Sequence, residues 1–188
     1  LHPGEADADI LYRRAEVSLL LQALQEKLSR GRLWNENLIL VGDFNLYKGT
    51  KKDPKDDPTI EIFRQSGYRE VDALVGKDTN ATQTQAYDRF FLTSNKYFSL
   101  ARDAAGKEIG GVFNPYLFVY RDGQELEYKA PMKAQYTGSK SLDDPATLAT
   151  YYKTKWRRNQ LSDHFLIWFE LVIDSSDEFL AEKLSAYL

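Results

Sequence analysis

The chain has 188 residues, with 25 Lys+Arg against 28 Asp+Glu and a formal net charge of −3. Usage of 43% hydrophobic and 28% charged residues excludes a wholly disordered or fibrous protein. The longest apolar runs, Leu19-Leu20-Leu21 and Phe165 to Phe169, fall far short of the ~20 residues that cross a bilayer, so no membrane span is expected. There is no cysteine, which removes disulfides, thiolate metal sites and cysteine nucleophiles and leaves the compartment open. The only methionine is Met132, and the chain opens on Leu1-His2-Pro3-Gly4 without a basic segment and apolar stretch. The expectation is a sequence trimmed or excerpted at its start, with no intact signal peptide.

After the Pro3-Gly4 turn, Asp7 to Ser29 reads as a helix. Ile10, Val17, Leu21, Leu24 and Leu28 form one stripe of 3.6-residue period, with Arg13, Arg14, Gln22, Gln25 and Glu26 off it. Arg30-Gly31 is the expected stop. Leu38-Ile39-Leu40-Val41 within Asn37 to Asn45 predicts a strand buried on both faces. Asp57-Pro58 begins a short helix, with Asp57 as its cap, that Gly67 ends. Tyr68 to Val75 and Thr82 to Leu92 read as extended. Asp122-Gly123, between Val119-Tyr120 and Leu126 to Tyr128, is a hairpin signal. Asp144-Pro145 starts a helix running to Trp156. Phe165 to Ile173 is a second apolar strand, and Ser175 to Tyr187 is a closing helix with Ser175 and Glu178 as a capping box. Helices and strands mix without repeats, which makes the class α/β or α+β in one domain.

Polar residues cluster where apolar strands stop: Gly42-Asp43-Phe44-Asn45, then Tyr87-Asp88, then Ser162-Asp163-His164. Strand ends supply a rigid platform with a water-facing edge. Asp43 and Asn45, two residues apart, can point to one side of an extended segment. Taken singly, each has a bland reading: Asp43 and Asn45 as turn residues, His164 as a satisfied structural histidine, Asp88 and His164 as an ion pair.

As an ordered set, they resemble the motifs of the endonuclease/exonuclease/phosphatase family, the metal-dependent phosphoesterases that include DNase I-like nucleases. Gly42-Asp43-Phe44-Asn45 is similar to that family's G-D-[FL]-N motif. Tyr87-Asp88-Arg89-Phe90 resembles its later [IY]-D-[YRQ]-[IVF] motif, and Ser162-Asp163-His164 its terminal S-D-H. Tyr151-Tyr152 through Trp156-Arg157 into Ser162 is similar to a bacterial branch of the family. The resemblance implies an α/β fold, the second half of a four-layer sandwich with a mixed, mostly antiparallel sheet flanked by helices. It implies hydrolysis of a phosphodiester or phosphomonoester by in-line attack of water, supported by Mg²⁺ or Mn²⁺. In those roles Asp43 orients and deprotonates the water, and Asn45 donates to a nonbridging oxygen. His164, held and kept cationic by Asp88, contacts the scissile phosphate, and Asp163 holds the metal or its water.

The family's early Asn and its metal-binding Glu have no counterpart among these residues. The resemblance therefore covers the chain, while the chain covers only the second half of the family domain. The expectation is poor metal affinity and weak or absent turnover by the 188 residues alone. Lys129, Lys133, Lys140, Lys153, Lys155, Arg157 and Arg158 accumulate ahead of the S-D-H motif, interleaved with Tyr136, Tyr151, Tyr152 and Trp156. Lys155, Arg157 and Arg158 are candidate substrate contacts, with nucleic acid among the candidate substrates. The commoner use of such residues is lysines snorkelling over an aromatic core. Two other readings stand beside the enzyme: a binding half-domain, and a structural half whose exposed sheet face needs the other half or another copy to cover it.

Overall fold

The computed structural model describes residues 1–29, 37–93, 97–172 and 175–186. Helix α1 is Asp7–Ser29, and its expected stop at Arg30-Gly31 lies outside the described residues. Ile10, Val17 and Leu21 are buried, as the stripe requires, and Arg13 is buried with them. The apolar stripe alone leaves Arg13 off the buried face. It lies three residues after Ile10 and four before Val17, so its side chain shares their face. The guanidinium is fully buried and donates to Asp56 through Nε at 3.2 Å and Nη2 at 2.7 Å. Its Nη1 donates to the carbonyls of His2 at 3.0 Å and Gly4 at 2.6 Å. A guanidinium is tolerated there because a two-pronged carboxylate and two carbonyls use its donors.

Strand β1 (Ile39–Asp43) is antiparallel to β3 (Asp88–Leu92), which also pairs β2 (Arg69–Glu70), giving the order β1-β3-β2. Helix α2 (Asp57–Gln65) lies between β1 and β2 in sequence. One face of the sheet packs under α1 and α2. Phe91 stacks on Phe63 with centroids 3.9 Å apart, and Val17, Leu21, Phe44 and Ile60 complete that core. The other face carries Phe90 and Leu92 against two further pairs, β4 (Ser99–Leu100) with β7 (Leu171–Val172) and β5 (Gly110–Phe113) with β6 (Leu166–Phe169). These pairs do not reach under β1. Ile39 and Val41 stay 37% and 61% exposed, so β1 is buried on one face rather than two.

Other expected elements shift for identifiable reasons. Asp56, not Asp57, precedes the first turn of α2, and its side chain makes no capping bond. Its oxygens are taken by Arg13 and by the Tyr47 N–H at 3.0 Å. Gly67, at φ 86°, lets the chain turn away after α2. The segment Tyr68 to Val75 is a strand only over β2 before a turn at 72–76. Thr82 to Leu92 is a strand only over β3, because Asn80 folds residues 80–85 back through Oδ1 bonds from the N–H groups of Thr84 and Gln85. The second apolar strand is split at Glu170 into β6 and β7, which pair with different partners; Ile173 lies outside the described residues.

The Asp122-Gly123 hairpin is not formed. Gly123 takes the expected positive φ of 88°, but its flanks join an aromatic core instead of pairing. Tyr120 and Tyr128 meet at 5.2 Å and both pack on Trp156, at 5.4 and 5.1 Å. Leu126 to Tyr128 leads into α3 (Lys129–Gln135). From Asp144, whose carboxylate accepts the Thr147 N–H at 2.8 Å, the chain runs through α4 (Pro145–Tyr151), a π-helical turn (Tyr152–Trp156) and α5 (Arg157–Gln160). Met132, Leu142, Leu148, Tyr152 and Trp156 form the interior of this helical lobe, with several basic side chains around it. Helix α6 (Ser176–Ser185) closes the chain. Ser175 makes no side-chain capping bond, so the capping box is not formed, and Tyr187 lies outside the described residues. The molecule mixes helices with small antiparallel sheets. Among the described residues, no helix is long and apolar enough to cross a membrane.

Candidate active site

The pairing of β1 with β3 places Asp43 directly opposite Asp88, so two carboxylates from distant segments meet at one end of the sheet. Beyond β1 the chain bends at once: the Asp43 carboxylate accepts the Asn45 N–H at 2.9 Å, and Asn45 takes φ 49°, a left-handed conformation that asparagine tolerates. The Asn45 amide donates to the Leu1 carbonyl at 2.9 Å, leaving its second N–H for another acceptor.

His164 is brought to this sheet end by the turn at 80–85. It bridges to Asn80, while the Ala81 N–H reaches the Asp163 carbonyl at 2.8 Å and the Phe165 N–H the Thr79 carbonyl at 2.6 Å. Buried Thr79 also accepts the Asp88 N–H at 2.9 Å through its hydroxyl, so one residue fixes both the aspartate and the histidine segment. Tyr116 adds a second tether, its hydroxyl donating to the Ser162 carbonyl at 2.5 Å. Thr79, Asn80 and Tyr116 were not picked out from the sequence, because nothing local marks a residue whose partner lies across the fold.

The result is a histidine between two carboxylates. His164 Nδ1 lies 2.7 Å from Asp88 Oδ2, and its Nε2 is 4.0 Å from Asp43 Oδ2. Among the described residues Nε2 makes no hydrogen bond, so it is open to a ligand. The His164 side chain is 30% exposed. Partial burial is the largest influence on its proton affinity and works against the charge. The hydrogen bond that His164 donates to Asp88 and the charges of Asp88, Asp43 and Asp163 outweigh it, and the imidazole pKa is raised above the usual 6.5. The Tyr87 ring lies 6.1 Å from the imidazole. Burial, chiefly, with Tyr47 beside it, pushes the Tyr87 phenol up, so it is a neutral wall of the site.

The remaining candidates distribute unevenly. Asp163 is exposed and lies 3.5 Å from Arg158 Nη2, which puts both at the edge of the cluster. Arg157 points elsewhere: it pairs with Asp122 at 2.6 Å and lies over the Tyr116 ring at 4.3 Å. Lys155 lines a separate cavity in the helical lobe. Among the described residues no three His, Asp or Glu side chains are grouped to hold a metal ion. A hard divalent cation needs several oxygen ligands at one point. Asp163, turned toward an arginine, does not provide that alone, so the residues present do not by themselves fit a bound Mg²⁺.

No family model matches this chain, and neither the curated proteins nor the solved structures give a significant match.

Proposed function

We propose that the chain carries the catalytic histidine end of a phosphoesterase that hydrolyses a phosphodiester or phosphomonoester by in-line attack of water. The observation that supports this best is the His164 imidazole, bonded to Asp88 through one nitrogen and open toward Asp43 through the other. A cationic imidazole with a free N–H is suited to a phosphoryl oxygen, where its charge counters charge developing in the transition state. Asp88 keeps the ring oriented and protonated. Asp43, beside the open nitrogen, is placed to accept a proton from an attacking water. The second Asn45 N–H supplies an uncharged donor nearby, and Arg158, paired with Asp163, stands at the rim.

The motif resemblance extends this reading to a DNase I-like four-layer sandwich using Mg²⁺ or Mn²⁺. In that arrangement this chain is the second half, and most metal ligands belong outside the described residues. Hydrolysis of bis-p-nitrophenyl phosphate, supercoiled DNA and phospholipid head groups, measured with Mg²⁺ and with chelator, tests the class of reaction. Turnover of none of them, by a chain extended through any sequence encoded ahead of Leu1, would overturn it.

A second reading is favoured by a separate observation. Ile39 and Val41 on β1, and Leu166 and Trp168 on β6, leave apolar side chains exposed on the sheets. Such surface suits a half-domain that works by docking, with the His164 cluster holding a sheet end together. Full activity loss without loss of assembly in a His164 variant separates the two.

A further inference from the structure

Seven basic residues lie from Lys129 to Arg158, ahead of the S-D-H motif, and the structure divides them sharply. Lys129 and Lys133 share Asp143 at 2.9 and 2.7 Å, Lys153 and Arg157 share Asp122 at 2.9 and 2.6 Å, and Arg158 has Asp163 at 3.5 Å. Lys140 and Lys155 have no ion pair among the described residues, and these two line the same cavity. That cavity, about 800 Å³, lies between the end of α3 and the helical run from α4 to α5. Its volume is in the range of small-molecule sites.

The walls are specific in kind. Tyr136 and Tyr151 meet edge to face at 4.7 Å and 71°, both half-buried, and both line the cavity. The Asn159 side-chain amide, also in the lining, makes no hydrogen bond among the described residues. Asp144 is the carboxylate of the cavity, and it is occupied by Thr147, through the backbone N–H at 2.8 Å and the hydroxyl at 2.7 Å. Lys140 shares the cavity with this carboxylate, whose proton affinity is lowered chiefly by the Thr147 bonds and further by the Lys140 charge. Two ammonium groups outside any ion pair among the described residues, two aromatic rings and one amide are the donors and surfaces that a phosphate, a flat ring and a hydrogen-bonding base edge require. The Tyr152–Trp156 turn that presents Lys155 is π-helical, an irregularity that often accompanies a binding site.

We propose that this cavity binds a nucleoside phosphate, its base against Tyr136 and Tyr151 and its phosphate between Lys140 and Lys155. That the bound nucleotide is part of the substrate rests on the phosphoesterase reading; that it binds does not. Arg158 and Asn159 follow Lys155 on the same helical run, and Arg158 pairs with Asp163, the residue before His164.

The test is direct binding to the whole chain, by calorimetry and backbone amide shifts, with adenosine monophosphate, a short oligothymidylate and inorganic phosphate. The first two should bind and shift the amides of Tyr136, Tyr151 and Asn159, and phosphate should bind much more weakly. Tighter binding of the oligonucleotide assigns a strand, and binding of the mononucleotide alone assigns a free nucleotide; both support the site. The double variant Lys140→Ala, Lys155→Ala changes exposed side chains and should keep its melting temperature while losing mononucleotide binding. For the oligonucleotide it should lower the logarithmic salt slope by about 1.4, two contacts at about 0.7 each on a single strand. His164→Ala should bind as the parent does. Phosphate binding as tightly as the nucleotide, undiminished affinity in the double lysine variant, or no binding would each overturn the proposal. Binding without hydrolysis of any phosphate ester would leave the site standing and remove the phosphoesterase reading.

Discussion

Replacing Asp88 by Asn should change the titration of His164 and, through it, the pH dependence of stability. In the folded chain the imidazole is bonded to Asp88 at 2.7 Å and its pKa is raised above 6.5. The folded state therefore holds the proton more tightly than the unfolded one. Stability from this group is fully present below pH 6.5 and is lost as pH rises through the folded-state pKa. A hydrogen bond between charged partners contributes about 1.5–3 kcal/mol. His164 and Asp88 retain 30% and 17% exposure, so solvent screening brings this pair to the bottom of that range or below it, about 1–2 kcal/mol. At roughly 2–4 °C per kcal/mol for a domain of this size, Asp88→Asn should lower the melting temperature by about 2–8 °C in mildly acidic buffer. The loss should shrink as pH rises above the titration. Proton NMR reads the cause directly, because the chain has only 2 histidines, His2 and His164, and their ring signals can be followed separately. The His164 midpoint should lie above 6.5 in the parent and move down in Asp88→Asn. A parent midpoint at or below 6.5, or an unchanged midpoint in the variant, would refute the reasoning.

Arg13→Ala strands the buried Asp56 carboxylate with one backbone donor, and should cost about 3–5 kcal/mol in a urea or thermal melt. The paired change Arg13→Met, Asp56→Leu should recover much of it, and a loss under about 1 kcal/mol in Arg13→Ala would show the pair is not closed to water. Tyr116→Phe leaves the Ser162 carbonyl without its hydroxyl partner and should cost about 1 kcal/mol, with His164 signals broadened or shifted. Millimolar Mg²⁺ should leave the melting temperature of the 188-residue chain unchanged, since no described cluster holds a metal; a rise that saturates with Mg²⁺ would contradict this.

The long elements were legible where periodicity was strong. Helix α1 follows from its apolar stripe, and α4 starts at Asp144-Pro145 as the sequence suggests. The failures share a cause: the local signal was real, but a distant partner claimed the residue. Asp57, the expected cap, falls inside α2, and Asp56 ahead of it bonds Arg13 instead of capping, while Tyr120 and Tyr128 leave the Asp122-Gly123 turn for the rings around Trp156. Both faces of β1 are apolar in sequence, yet only one is covered, because the second pair of sheets stops beneath β3. At the candidate site, Asp43, Asp88 and His164 could be picked out as strand-end residues. Their approach required strand register and the turn at Asn80, which no local pattern encodes. Lys140 and Lys155 were visible as two charges among seven. Their distinction from the others depends on where Asp122, Asp143 and Asp163 lie in space.

The claim that His164 is the catalytic electrophile is tested most directly by His164→Ala in a metal-supplemented assay of bis-p-nitrophenyl phosphate, using the chain extended through any sequence encoded ahead of Leu1. The account predicts a loss of about 10²–10³ in kcat, the usual cost of removing one transition-state donor, with the fold intact. Full activity in the folded variant would contradict it.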